Sequence, residues 1–192
     1  MKIKMQLLSD TIFGSGASVP GGEDISVLCD RDGFPYYKGG TFKGVFREEL
    51  YRYLEWIGTK EAEIENTVIR MLGKAGNGEE ITASKLTFSD FILSEYVKEK
   101  MLEEVGKGDG YTEIITDVLT HTRTLTAIEK DDTAKEDSLR SLRCVNKGLY
   151  FYSSISCMPE DEALVREVLA MIKWIGSMKN RGFGKVKITV EE

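Results

Sequence analysis

Ile3, Met5 and Leu7 alternate with Lys2, Lys4 and Gln6, the period of a strand with one buried face, so a first strand is predicted over about residues 1–9. From Gly14 to Gly40 the chain holds seven glycines and two prolines, which predicts a long loop with room for a short strand at Ile25 to Cys29. Val45, Phe46, Leu50, Tyr53, Leu54 and Ile57 then recur at helical spacing, predicting a helix over about 42–57 with Thr41 near its N-cap. Residues 60–80 are mostly polar and read as a surface excursion. Leu86, Phe88 and Phe91 suggest a strand at about 84–93, followed by the turn-rich linker "VGKGDGY". Thr120 to Ile128 and Leu139 to Val145 read as two arms of a hairpin around an acidic, lysine-containing tip. Residues 148–158, "GLYFYSSISCM", are aromatic and β-branched enough for a central strand. Pro159 and the acids behind it open a helix whose apolar face is Leu164, Val165, Val168, Leu169, Ile172 and Ile175. A last strand is predicted over Gly184 to Val190.

Strand, helix, strand, excursion, strand, helix, strand is the order of an α+β, ferredoxin-like (RRM-like) sandwich, an antiparallel sheet with helices on one face. The long loop and a thumb-like hairpin are insertions in it. A chain of 192 residues with 41% hydrophobic content favours one domain, 1–192, interrupted at about 14–40, 58–82 and 100–147. Cys29, Cys144 and Cys157 are an odd number without CxxC spacing, which points to reduced thiols rather than to a disulfide framework or a zinc site. No run of about eighteen apolar residues occurs and "MKIKMQLL" lacks the pattern of a signal peptide, so a soluble, cytoplasmic protein with no membrane partner is expected.

A net charge of −6 argues against generic polyanion binding, but its distribution changes that picture. The acids concentrate in Glu95 to Asp117 and Asp131 to Asp137. In "IGSMKNRGFGKVKI", by contrast, Lys179, Arg181, Lys185 and Lys187 stand among Gly176, Gly182 and Gly184 with no acid. Glycines let a polyanion approach the main chain, and the amides of such a loop can form an anion nest. The plainer alternative is a helix C-cap at Gly176 and a turn into the last strand. A second cluster, "YYKGGTFKGVFREEL", puts Gly39, Gly40 and Thr41 at a helix start with Lys43 and Arg47 on one helical face, the makings of a phosphate site. Neither segment is a Walker A loop or a dinucleotide fingerprint. His121 is the only histidine, which excludes a ribonuclease built on a His pair. Trp56 and Trp174 read as core or interface residues, and Tyr36 and Tyr37 as either base-stacking or core residues.

The loop "GSMKNRGFGKV", the N-terminal strand and "DISVLCDRDGFPYYKGGTFKGVFREEL" together resemble the RAMP superfamily of CRISPR-associated proteins. Within it the sequence is most similar to the backbone subunits of type III effector complexes. "KLTFSDFIL" and "TRTLTAIEKDDTAKEDSLRSLRCVNKG" resemble that family's middle strand and thumb-like hairpin. Ser26 stands where the family often has Pro, and Gly40, Thr41 and Phe42 replace the usual Ser-Ser-Leu.

The resemblance implies an endoribonuclease that lines up in several copies along a guide RNA (crRNA), beside other CRISPR effector subunits, and cuts bound single-stranded target RNA. It implies Asp24 as catalytic carboxylate and metal ligand for Mg²⁺ or another divalent cation, with Glu23, Asp30 and Asp32 as nearby carboxylates. RNA contacts would come from Gly40, Thr41, Lys43 and Arg47, from Arg123, Arg140 and Arg143 of the hairpin, and from Lys179, Asn180, Arg181, Gly182 and Lys185. Two alternatives stay open: a structural subunit that binds guide RNA without cutting, and a stand-alone ribonuclease that processes precursor guide RNA.

Overall fold

The computed structural model describes residues 1–14, 25–74, 86–126 and 139–191. Strand β1 (Lys2–Leu7) buries Ile3, Met5 and Leu7 and turns Lys2, Lys4 and Gln6 outward, as its alternation predicts. It lies at the centre of a four-stranded sheet with β2 (Thr87–Phe88), β5 (Tyr150–Ser156) and β6 (Val186–Glu191), in the order β2-β5-β1-β6 and antiparallel throughout. This is the ferredoxin-like order, with each outer strand beside one it does not follow in sequence.

Helix α1 (Gly39–Trp56) inserts Phe42, Phe46, Leu50 and Leu54, one per turn, into the core. Each such burial contributes about 1.5–3 kcal/mol. Helix α5 (Glu162–Met171) adds Val165, Val168 and Leu169 beside it, behind a 3₁₀ turn at Pro159–Asp161. Ile172 and Ile175 are buried as well but lie beyond the helix, which stops at Met171, so the predicted apolar face outruns it. Asp161, buried at the start of α5, accepts both terminal nitrogens of Arg70 at 2.6 and 2.9 Å.

Several boundaries differ from the sequence reading. Residues 61–72 are not an excursion but helix α2 (Glu61–Leu72), which buries Ile64, Val68, Met71 and Leu72. The linker sits between two further helices, α3 (Glu95–Val105) and α4 (Tyr111–Leu119). The predicted strand at 84–93 shortens to β2 and resumes as single bridges, Phe91 to Tyr37 and Ile92 to Tyr152. Thr41 lies inside α1, whose N-cap is Lys38. Trp56 is 79% exposed and is not a core residue. Tyr37 belongs to the core.

Strands β3 (Thr120–Leu125) and β4 (Arg140–Val145) form the predicted hairpin, in register from Thr120 opposite Val145 to Leu125 opposite Arg140. The loop after β1 is pinned rather than free where it is described. Leu28 donates to Phe13, and the Asp30 carboxylate accepts the amides of Asp32 and Phe34, both at 3.0 Å. Cys29, Cys144 and Cys157 are free thiols, and burial pushes those of Cys29 and Cys157 up. Among the described residues no helix is long and apolar enough to cross a membrane.

Candidate nucleic-acid interface

Three segments meet beside the end of β1. The first is residues 10–14, where Thr11 pairs with Val145 of β4 and the Ile12 carbonyl accepts the amide of Ser177. The second is the glycine loop, which contains a 3₁₀ turn at Lys179–Arg181 between Met178 and Gly182, both left-handed. The third is the base of the β3–β4 hairpin. Ile25 forms a parallel bridge to Leu142, and its carbonyl accepts the Arg143 amide at 3.0 Å.

The loop does not cap a helix. Gly176 lies beyond Ile172, the C-cap of α5, and the loop is held from both sides by backbone bonds. Gly184 donates to the Asp10 carbonyl and accepts from Ile175, both at 2.9 Å. Its φ of +80° and the Ile175 carbonyl packed against its α-carbon leave no room for a side chain. Gly176, Met178, Lys179, Asn180 and Arg181 line a shallow cavity of about 520 Å³.

Asp10 joins the loop to the hairpin. Its carboxylate accepts the Lys147 amide at 3.2 Å and stands 3.5 Å from Arg123 and 3.4 Å from His121. Arg123 also lies over the Phe183 ring, 5.1 Å from its centre, so Arg123 and the loop residues Lys179 to Lys185 share one neighbourhood. His121 is exposed, with Nδ1 2.6 Å from the Asn146 side-chain oxygen. Asp10 and Phe183 were not singled out in the sequence, because their partners are distant along the chain.

The remaining candidates are placed less simply. Arg143 pairs with Asp117 of α4 at 2.6 Å and reaches the Thr120 hydroxyl at 3.1 Å, which turns it toward α4. Arg140 is exposed at the start of β4. Gly40 and Thr41 are exposed in the first turn of α1, yet the helix start already has an anion: the Asp90 carboxylate accepts the Gly39 amide at 2.8 Å. Arg47 donates to the Leu72 and Gly73 carbonyls, closing the C-terminus of α2. Lys43 is half-buried, and burial with Arg47 nearby lowers its ammonium pKa. Tyr37 is drawn toward the glycine loop. Burial raises its hydroxyl pKa, while a hydrogen bond with the Gly176 backbone opposes the rise.

Asp24 and Glu23 lie outside the described residues, as does the hairpin tip over 127–138. Asp30 is the turn former its "DRDG" context suggests, and its second oxygen takes Lys98 at 2.9 Å. Asp32 accepts the Tyr111 hydroxyl at 2.8 Å, which holds its carboxyl below the usual range. Among the described residues no group of three or more His, Cys, Asp or Glu side chains could hold a metal ion.

A ferredoxin-like sheet carrying a pinned glycine loop and the β3–β4 hairpin defines the class. The sequence pattern of the RAMP superfamily matches residues 4–187, and the chain belongs to that superfamily. No curated protein matches the sequence. Its fold is similar to a chain in the cryo-EM structure of the type III-B Cmr-beta complex bound to cognate target RNA, with a TM-score of 0.71 and 14% identity, covering 97% of this chain and 95% of that one. A chain of the same complex in its apo state gives a TM-score of 0.71 at 15% identity, over 98% and 95% of the two chains. A chain of a type IV-B CRISPR complex gives 0.62 at 13% identity, over 99% and 89%.

Proposed function

We propose that the protein is a guide-RNA-binding backbone subunit of a type III CRISPR effector complex and cuts the target RNA paired to that guide. The observation that carries this reading is the likeness of fold to a type III-B subunit along nearly the whole length of both chains. The convergence of the glycine loop with the hairpin base supports it, because Arg123, Lys179, Arg181 and Lys185 supply cations where amides and glycines let a phosphate backbone approach. Gly40, Thr41, Asn180, Gly182 and Arg140 are the further contacts of this reading.

The role of Asp24 rests on the sequence resemblance. The residue that follows it, Ile25, is tied to β4, so the described end of the loop leads to the hairpin base. Asp30 and Asp32 are already engaged with backbone amides, Lys98 and Tyr111, so this reading keeps Asp24, the carboxylate that the sequence resemblance implies. One carboxylate together with RNA phosphate suits Mg²⁺, which usually keeps several waters and takes few protein ligands. When bound, such an ion would neutralise charge on the phosphate. In the reaction the ribose 2′-hydroxyl gives up its proton as its oxygen bonds to the adjacent phosphorus, the bond from phosphorus to the 5′-oxygen breaks, and that oxygen leaves with a proton. The products are a 2′,3′-cyclic phosphate and a 5′-hydroxyl.

The test is cleavage of labelled target RNA by the complex reconstituted on guide RNA, in Mg²⁺ or EDTA, with wild type and Asp24→Ala. Regularly spaced cuts that vanish both in EDTA and in the variant are expected. Tight target binding without cuts in the wild type would make the chain a scaffold. Metal-independent cutting of a repeat hairpin by the isolated chain would make it a processing enzyme.

A further inference from the structure

The face of the sheet turned away from α1 and α5 has a composition unlike the rest of this acidic chain. The register places its outward side chains in rows across three strands. Lys187, Gln6 and Tyr150 form one row, Thr189, Lys4 and Tyr152 the next, and Glu191, Lys2 and Ser154 a third that carries one acid at the end of the sheet. The Lys4 ammonium sits 4.4 Å from the centre of the Tyr150 ring and 5.9 Å from that of Tyr152. Lys4, Gln6, Tyr150, Lys187 and Thr189 line a groove of about 210 Å³ that contains no acidic side chain. Tyr150 is 41% exposed.

We infer that this face binds single-stranded RNA, as a second contact surface separate from the cleft between the glycine loop and the hairpin. Two rings on one strand, with Lys4 on the adjacent strand and Lys187 on the strand beyond it, offer what a single strand needs: flat surfaces for bases and cations for the phosphates between them. Gln6 and Thr189 lie in the same rows and add hydrogen-bonding groups for base edges or ribose hydroxyls. A protein partner fits less well, because lysine is depleted at the buried centre of protein interfaces and this groove is framed by two. The Tyr–Lys arrangement also exists before any ligand arrives, since Lys4 is already held against the rings.

The experiment is fluorescence anisotropy of a labelled decauridylate with the full chain, in parallel with sedimentation velocity. The parent for comparison carries Lys179→Glu and Arg181→Glu, which disables the glycine loop, so failure of the loop reading and failure of this one are read separately. Residual binding is expected in that parent. Adding Tyr150→Ala and Tyr152→Ala should weaken it about fivefold or more, whereas Tyr150→Phe and Tyr152→Phe should retain it, since stacking needs the ring and not the hydroxyl. Lys4→Gln with Lys187→Gln should flatten the logarithmic salt dependence by about 1.4, the share of two phosphates on a single strand. If the alanine pair does not fold, judged by circular dichroism, the lysine pair decides. No residual binding in the parent, or equal binding in the parent and the alanine or lysine pair, overturns the inference. So does a loss of self-association in the alanine pair at unchanged RNA affinity, which would assign the face to a second copy of the chain.

Discussion

Alanine at position 184 would bring a methyl carbon to 1.9 Å from the Ile175 carbonyl oxygen, with the backbone held at φ +80°. Gly182 provides the matched comparison. Its φ is +83°, but nothing lies within 4 Å of where a β-carbon would be. Alanine at 182 therefore carries only the left-handed backbone cost, about 1–2 kcal/mol. At 184 the same cost is joined by an overlap with backbone that a rotamer change cannot relieve. The loop must move, which strains the bonds from Gly184 to Asp10 and from Ile175 to Gly184, both 2.9 Å, each worth about 1 kcal/mol. The expected loss is about 3–4 kcal/mol for Gly184→Ala, or about 6–16 °C in Tm for a chain of this size. Gly182→Ala should lose about 2–8 °C. Urea unfolding of both variants at a common m-value measures the difference. Equal midpoints would refute the reasoning, because they would mean that the loop relaxes around the methyl group at no cost.

Two further outcomes are expected. Arg47→Ala should lower stability by about 1–2 kcal/mol through the lost bonds to Leu72 and Gly73 and leave RNA affinity unchanged, measured by urea unfolding and anisotropy. A drop in affinity without a drop in stability would return Arg47 to the RNA surface. Tyr111→Phe should change the response to acid. The Tyr111 bond holds the Asp32 carboxyl low, so the stability it provides is present above the unfolded carboxylate pKa of about 3.9 and is lost as pH falls through the folded value. The gap between the urea midpoints of wild type and variant should be constant from about pH 5 to 7 and shrink toward pH 3. A gap unchanged at pH 3 would contradict this.

How far the sequence could be read follows from how local each signal is. The alternation in β1 is set by neighbours two residues apart, so that strand was legible and, with the order of the elements, so was the fold class. Helix α2 carries the same kind of signal, Ile64, Val68, Met71 and Leu72, but its many charges hide the spacing. Helix α3 hides completely, because none of its side chains is fully buried. The cap of α1 could not be read from Thr41, since the carboxylate that serves it is Asp90, 51 residues away. The glycine loop announced itself by its own spacing. Asp10 did not, because its contacts to Arg123 and Lys147 span 113 and 137 residues.

The carboxylate of Asp10 holds Arg123 beside the glycine loop. A phosphate chain entering this cleft would therefore meet a guanidinium group that is already oriented, and would compete with Asp10 for it. Such preorganisation spares the ordering entropy of long side chains while capping the gain per contact, so adhesion is spread over many weak exchanges rather than concentrated in one. A surface of that kind can let go one contact at a time.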